Sequence, residues 1–314
     1  MEIKSSCENN SKIWIAVDWG TSHLRYWVIN KENFIIKKEN SLPLGIKFIN
    51  NKNYEKILEN EFKDFLSDNH VVDVLCCGMI GSKQGWQDAG YLKVPFIPSF
   101  HNQLVSIKTK NKKLNIFIVP GLKQNDPPDI MRGEETQALG IITKYNNFDG
   151  VVCFTGTHSK WVQIVGNEII SFETFMTGEL FQIISQYSIL KNSISSANFN
   201  KSLAIEYAMI SFLEPQKFSK KLFELRARNL IQNLNSSKIS SAISGLTIGL
   251  EIAGSRKFWM GNDVILVGTS PMVDIYQAIL KKQKIETKTI DSNSISLIGL
   301  KSIYKNYIFY EKNK

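Results

Sequence analysis

The apolar run "IWIAV" at 13–17 ends at Asp18, passes through a polar Gly-Thr-Ser turn and resumes as "LRYWVI" at 24–29. This rhythm predicts strands at 13–19, 24–29 and 33–38, the later two antiparallel successors of the first. In "YEKILENEFKDFL" (54–66), residues Ile57, Leu58, Phe62, Phe65 and Leu66 fall at helical spacing, and "VVDVLCCGMI" (71–80) reads as a buried strand. Strand-strand-strand-helix-strand is an α/β order whose hairpins make the sheet mixed. Turn formers crowd "LKQNDPPDIMRG" (122–133), which predicts a domain boundary, and 134–143 reads as a helix. The plan then begins again, with strands at 150–155, 160–165 and 168–174 and a polar turn after the first. Helices follow at 218–231 and 241–258, then strand 264–268, a helix from Pro271, strand 285–290 and a last helix at 294–305. Proline suits a first helical position, where its missing N–H is no loss. The expected organisation is therefore two domains, 1–128 and 129–314, with the last helix packing back on the first.

A chain of 314 residues suits two cores better than one. The 38 basic and 29 acidic residues give a net charge of +9. Much of that excess lies in Lys-Asn stretches such as "TKNKKLN" (109–115), without the interleaved aromatics of a nucleic-acid surface. The field favours a small anionic substrate, and no nucleic-acid partner is expected. The cysteines at 7, 76, 77 and 153 show no metal-ligand spacing and imply a reducing compartment. The polar first twelve residues do not resemble a signal peptide, and no apolar run approaches the ~18 residues of a membrane helix. The expectation is a cytoplasmic protein without a membrane partner, with a homodimer as the default assembly.

The candidate chemistry sits in three glycine turns. In "VDWGTSHLR", Gly20 admits close approach of an oxyanion, Thr21 and Ser22 offer donors, and Asp18 ends the strand where a carboxylate can hold hydrated Mg²⁺. A tight hairpin with a self-bonding Asp explains one such turn equally well; two turns heading two halves favour the phosphate reading. "FTGTHSKW" repeats the logic with Gly156, the donors Thr155, Thr157 and Ser159, and Lys160 as a point charge. His158 suits a phosphate-orienting or proton-carrying role, or a purely structural one. "VILVGTSPMVDIYQAIL" (264–280) ends a strand in Gly268, Thr269 and Ser270 before a helix, a turn that can lie against a base or ribose. Neither a Walker loop nor a G-x-G-x-x-G follows any strand.

In this order the three elements resemble the phosphate 1, phosphate 2 and adenosine motifs of the sugar kinase, Hsp70 and actin superfamily. "CGMIGSKQGW", "VPGLKQNDPPDIMRGEETQALG", "GTHSKWVQI", "TFMTGELFQII", "LFELRA" and "SGLTIGLEIA" accompany them. Together they resemble the 2-dehydro-3-deoxygalactonokinase family over about residues 13–300, with "MRGEETQ", "GTHSKW" and "MTGEL" the specific signatures. The resemblance implies two ribonuclease H-like domains with mixed sheets flanked by helices, a nucleotide cleft between them, and the actin-like ATPase fold. It also implies ATP-dependent phosphorylation of 2-dehydro-3-deoxy-D-galactonate at its 6-hydroxyl. By match, Asp18, Gly20, Thr21 and Ser22 form the first phosphate turn, Gly156, Thr157 and His158 the second, and Gly268, Thr269 and Ser270 the adenosine site. Two departures stand out: Phe154-Thr155 where members often read Met or Leu then Pro, and Ser159 where Cys is common.

Phosphoryl transfer needs charge neutralisation, alignment and a proton acceptor. Glu134 and Glu135 in "MRGEETQ" are both candidates for the base, or only favour a helix N-terminus, with Asp126 and Asp129 behind them. Arg132 can grip a substrate carboxylate, and Ser82, Lys83 and Trp86 follow a strand end where ligand loops collect. Glu179 opens a helix and is a further substrate or metal candidate; Arg25, inside a strand, reads as structural. Rival readings keep the fold but change the acceptor to another hexonic acid, or make the chain a phosphatase-like hydrolase or a non-catalytic nucleotide binder.

Overall fold

Strand β1 (Ile13–Trp19) is apolar on both faces, and the structure surrounds it accordingly. This computed structural model describes residues 13–49, 53–66, 70–100, 102–194 and 198–312; Cys7 and the first twelve residues lie outside them. The chain divides into two units, Met1–Phe148 with Asn293–Lys314, and Asp149–Ser292.

In the first unit β1 pairs antiparallel with β2 (Leu24–Asn30), which pairs with β3 (Ile36–Leu42). On its other side β1 runs parallel to β4 (Val72–Cys77), which follows helix α1 (Tyr54–Phe62). Three further short strands, β5 (Tyr91–Lys93), β6 (Val105–Ile107) and β7 (Leu114–Ile118), precede the hairpin β8 (Gly121–Asn125) and β9 (Pro128–Met131). The main sheet has the order β3-β2-β1-β4-β7-β6, while β5, β8 and β9 form a small second sheet. Strand periodicity sends Ile13, Ile15, Val17 and Trp19 into the core with Tyr54, Leu58 and Phe62 of α1. Trp14 takes the opposite face, where its ring stacks at 3.9 Å on Tyr304 of the C-terminal helix, Ser292–Lys312. The Tyr304 hydroxyl donates to Asp73 Oδ2 at 2.6 Å, and Lys301 Nζ donates to the Phe34 carbonyl at 2.9 Å. Helix α2 (Glu134–Lys144) lies against the same C-terminal helix at Gly299, where a methyl group would collide with the Thr136 carbonyl.

The second unit reproduces the order. Its sheet reads β12-β11-β10-β13-β14, with β10 (Gly150–Phe154), β11 (Ser159–Val165) and β12 (Glu168–Phe175) antiparallel, and β13 (Val264–Val267) and β14 (Thr287–Ile290) added in parallel. The helices are α3 (Thr177–Tyr187), α4 (Lys201–Leu213), α5 (Phe218–Gln232), α6 (Ser236–Gly254), the short α7 (Arg256–Trp259) and α8 (Met272–Lys282). Helix α6 carries small and apolar residues on all sides and is buried continuously from Ile239 to Gly249.

Two local expectations change. The third strand begins at Ile36 rather than 33, because Asn30 Oδ1 accepts the N–H groups of Glu32 and Asn33 and so spends those residues on the turn. The segment 122–133 is the β8–β9 hairpin, not a linker, and α2 packs within the first unit, so the units divide after Phe148. Among the described residues no helix is long and apolar enough to cross a membrane.

Candidate active site

In the first unit the parallel strands β1 and β4 end together, with Asp18 in register with Cys77 and, across β2, with Arg25. Carboxyl ends of parallel strands are where α/β sheets place ligands. Asp18 Oδ2 lies 3.6 Å from Arg25 Nη1. Burial pushes the Asp18 carboxyl up, with the nearby Glu134 charge adding, while Arg25 and a hydrogen bond from Ser296 pull it back. Arg25 therefore has an electrostatic role beside its place in the strand.

The following turn is held from one side. The carbonyls of Gly20, Thr21 and Ser22 accept the N–H groups of Ile46, Lys47 and Gly45 at 3.1, 3.3 and 3.1 Å. Thr21 is exposed and Ser22 half-buried.

The two adjacent glutamates both lie in the first turn of α2 but differ in environment. Glu135 is fully buried; its Oε2 accepts the Gly133 N–H at 2.6 Å and its Oε1 the Thr136 hydroxyl at 3.2 Å. Burial, then the Glu134 charge, pushes its carboxyl up to about 8, so at neutral pH it is largely protonated. Glu134 is half-buried, accepts the Arg132 N–H at 3.1 Å, and acts electrostatically on Asp18. Of the pair, Glu134 fits a proton acceptor and Glu135 a structural acid. Burial, then the Asp18 and Glu135 charges, drives the Cys77 thiol far up, which removes it as a nucleophile.

Arg132 is buried, with its guanidinium 4.4 Å over the Tyr91 ring and Nη2 donating to the Gly90 carbonyl at 2.8 Å. Its Nε and Nη1 have no hydrogen-bond partner. Ser82 is buried and its Oγ accepts the Gly85 N–H, so it shapes its own turn. Lys83 is exposed, and Trp86 is half-buried in a stack at 6.0 Å on Tyr54. Asp126 is exposed on the β8–β9 turn, and Asp129 Oδ1 accepts the Ile130 N–H.

In the second unit, register pairs Phe154 with Val267, so the turn after β10 and the turn after β13 are neighbours. Gly156, Thr157 and His158 are exposed. Helix α3 backs them closely: the Glu179 N–H donates to the Thr157 carbonyl at 3.0 Å, and a Cβ on Gly178 would sit 2.6 Å from the Gly156 carbonyl. His158 Nε2 contacts Glu179 Oε2 directly, which gives Glu179 a partner on the turn itself. Thr155 Oγ1 donates to the Val267 carbonyl at 3.1 Å and joins the two strand ends.

Two of the donors expected on this turn are buried. Ser159 is fully buried with its Oγ 3.4 Å from the Tyr276 hydroxyl, and Lys160 is buried with Nζ donating to the His158 carbonyl at 3.1 Å. Strand alternation sends Ser159 to the face that meets Tyr276, while Lys160 takes the opposite face with its Nζ held on the turn by the His158 carbonyl. At the last turn Gly268 is half-buried and Thr269 exposed, while Ser270 Oγ donates to Asp274 Oδ1 at 2.7 Å in the first turn of α8. Sequence reasoning missed Glu251, Trp161, Tyr276 and Thr177, which meet beneath this turn. The available signal was one acidic residue inside the apolar stretch "SGLTIGLEIAG", since a buried carboxylate demands donors. Nothing in the sequence marked Ser296.

Two units that share the strand order 3-2-1-4 with a further parallel strand beside the fourth, each opening on a strand, glycine turn and strand, define a duplicated α/β protein with mixed sheets flanked by helices. Within that class the chain belongs to the 2-keto-3-deoxy-galactonokinase family, which it matches over residues 18–303. It is 33% identical over 294 residues to the probable 2-dehydro-3-deoxygalactonokinase DgoK1 of Rhizobium meliloti (strain 1021), covering 91% of this chain and 95% of that one. A 2-dehydro-3-deoxygalactonokinase of Escherichia coli (strain K12) is 29% identical, covering 92% and 97%. The crystal structure of a Sinorhizobium meliloti protein described as a 2-dehydro-3-deoxygalactonokinase superimposes with a TM-score of 0.85 at 32% identity, covering 93% and 98%.

Proposed function

We propose that this chain is a cytoplasmic, ATP-dependent kinase that phosphorylates 2-dehydro-3-deoxy-D-galactonate on its 6-hydroxyl in D-galactonate breakdown. The observation that carries the reading is Asp18. It is a partly desolvated carboxylate at the shared end of β1 and β4, heading an open hydroxyl-bearing turn, in a chain that matches a kinase family nearly end to end.

The substrate's C6 oxygen forms a bond to the γ-phosphorus as the bond from that phosphorus to the β–γ bridging oxygen breaks and ADP leaves. The hydroxyl proton passes to Glu134, whose carboxylate is the more accessible of the adjacent pair. Arg132, whose Nη2 also lies 3.8 Å from Asp88 Oδ1, supplies the cation that an anionic sugar acid needs, and Lys83 and Trp86, in the segment after β4, are further substrate contacts. Thr21 and Ser22, and Gly156 with Thr157 and His158, take phosphate oxygens; Gly268 and Thr269 take the adenosine. Asp18 would hold hydrated Mg²⁺ through its carboxylate. When bound, Mg²⁺ neutralises charge on the phosphates.

A coupled ADP-release assay with Mg-ATP and 2-dehydro-3-deoxygalactonate tests this, with the gluconate-derived epimer run in parallel. Turnover that exceeds an Asp18→Asn control is expected; equal rates for the two proteins would overturn the assignment.

A further inference from the structure

Glu251 is 2% exposed on the apolar helix α6, yet it is surrounded by donors from other elements. Its Oε1 accepts from Trp161 Nε1 at 2.8 Å and lies 4.0 Å from Cys153 Sγ. Its Oε2 accepts from the Tyr276 hydroxyl at 2.7 Å. Hydrogen bonds from Thr177 and Ser159 complete the set. Burial pushes this carboxyl up, and all four donors pull it back toward the ionised form. A buried carboxylate is tolerable only when its lone pairs are filled, and here they are filled from β11, α3 and α8.

Those elements have one thing in common. Ser159 and Trp161 open β11 directly after the second glycine turn. Thr177 is the first residue of α3, whose next two residues back the Gly156–Thr157 segment. Tyr276 sits in α8, which follows Gly268–Ser270. We propose that Glu251 is a positioning residue for nucleotide binding, fixing both of this unit's glycine turns in one geometry without itself touching the nucleotide. The inference rests on the reading that these turns bind ATP.

The test is calorimetric binding of a non-hydrolysable ATP analogue, which needs no turnover, together with thermal melting and the sugar-acid KM. Glu251→Gln keeps the shape but aims an N–H₂ group at donors. It should weaken analogue binding about tenfold while the sugar-acid KM at saturating ATP stays within about twofold. Tyr276→Phe removes a single donor and should weaken analogue binding about threefold. Ile252→Val, a core change next along the helix, is the control for lost stability alone and should leave binding unchanged. A folded Glu251→Gln protein that binds the analogue as wild type does would overturn the proposal. If that variant does not fold, unchanged binding by Tyr276→Phe overturns it instead. Absence of binding by the wild type would defeat the ATP reading itself, and this inference with it.

Discussion

Glu134 and Glu135 are sequence neighbours with opposite environments, and two predictions follow from that contrast. Replacing Glu134 by Gln removes the proposed proton acceptor and should lower kcat by about 10²–10⁴-fold with little effect on melting temperature. Glu135 behaves differently, because its carboxyl is raised from an ordinary 4.5 to about 8 in the folded chain. Between those values the native state holds a proton that the unfolded state has released. Stability attributable to this group is therefore greatest at low pH, falls as pH rises through that window, and levels off above about 8. Melting temperatures across pH 5–8.5 should decline less steeply in Glu135→Gln, by an amount worth a few kcal/mol at most. Identical slopes in the two proteins would refute the protonated state. Much of this site was legible from residue type, since a strand ending in Asp before Gly-Thr-Ser announces itself. The inward-facing Ser159 was not. Its hydroxyl looks like a phosphate donor until Tyr276, 117 residues away, is known to lie beside it.

Elements were legible where their pattern was long. Strands β1, β2 and β10 carry apolar runs of four residues or more, and the expected positions of the long helices needed only modest adjustment at their ends. Strands β5 and β6, with three residues each, are too short to show a period. In β8 the sequence "GLKQN" turns polar after two residues, because only Gly121 and Leu122 face a core. Helix crossings are also silent in sequence. Gly299 reads as a weak helix residue, but the structure uses the missing side chain to seat α2 on the C-terminal helix. Gly299→Ala should destabilise the protein by about 1–3 kcal/mol despite alanine's better helix propensity, because a methyl group there meets backbone that has little room to retreat. A melting temperature equal to or above wild type would show that the contact relaxes freely.

At the scale of the molecule, the repeated strand order is the strongest feature that the sequence announced, because each half restarts on the same strand–turn–strand–strand device. Where the units divide was harder to read, since that depends on what α2 packs against rather than on local turn chemistry. The first unit is discontinuous: Asn293–Lys314 belongs with the residues before Asp149. The segment 149–292, expressed alone, should melt cooperatively, whereas 1–148 without the C-terminal helix should not. The latter would lose the Trp14–Tyr304 stack and the Tyr304–Asp73 hydrogen bond. Cooperative melting of 1–148 would contradict this division.

The discontinuity also sets a timetable for biosynthesis. A ribosome adding about 5–20 residues per second delivers the whole of Asp149–Ser292 before the last helix exists. The N-terminal half must wait that long with the far side of β1, Trp14 included, uncovered. The nascent chain thus completes its later half first, and the interval before its final residues emerge is when a chaperone has an apolar surface to hold.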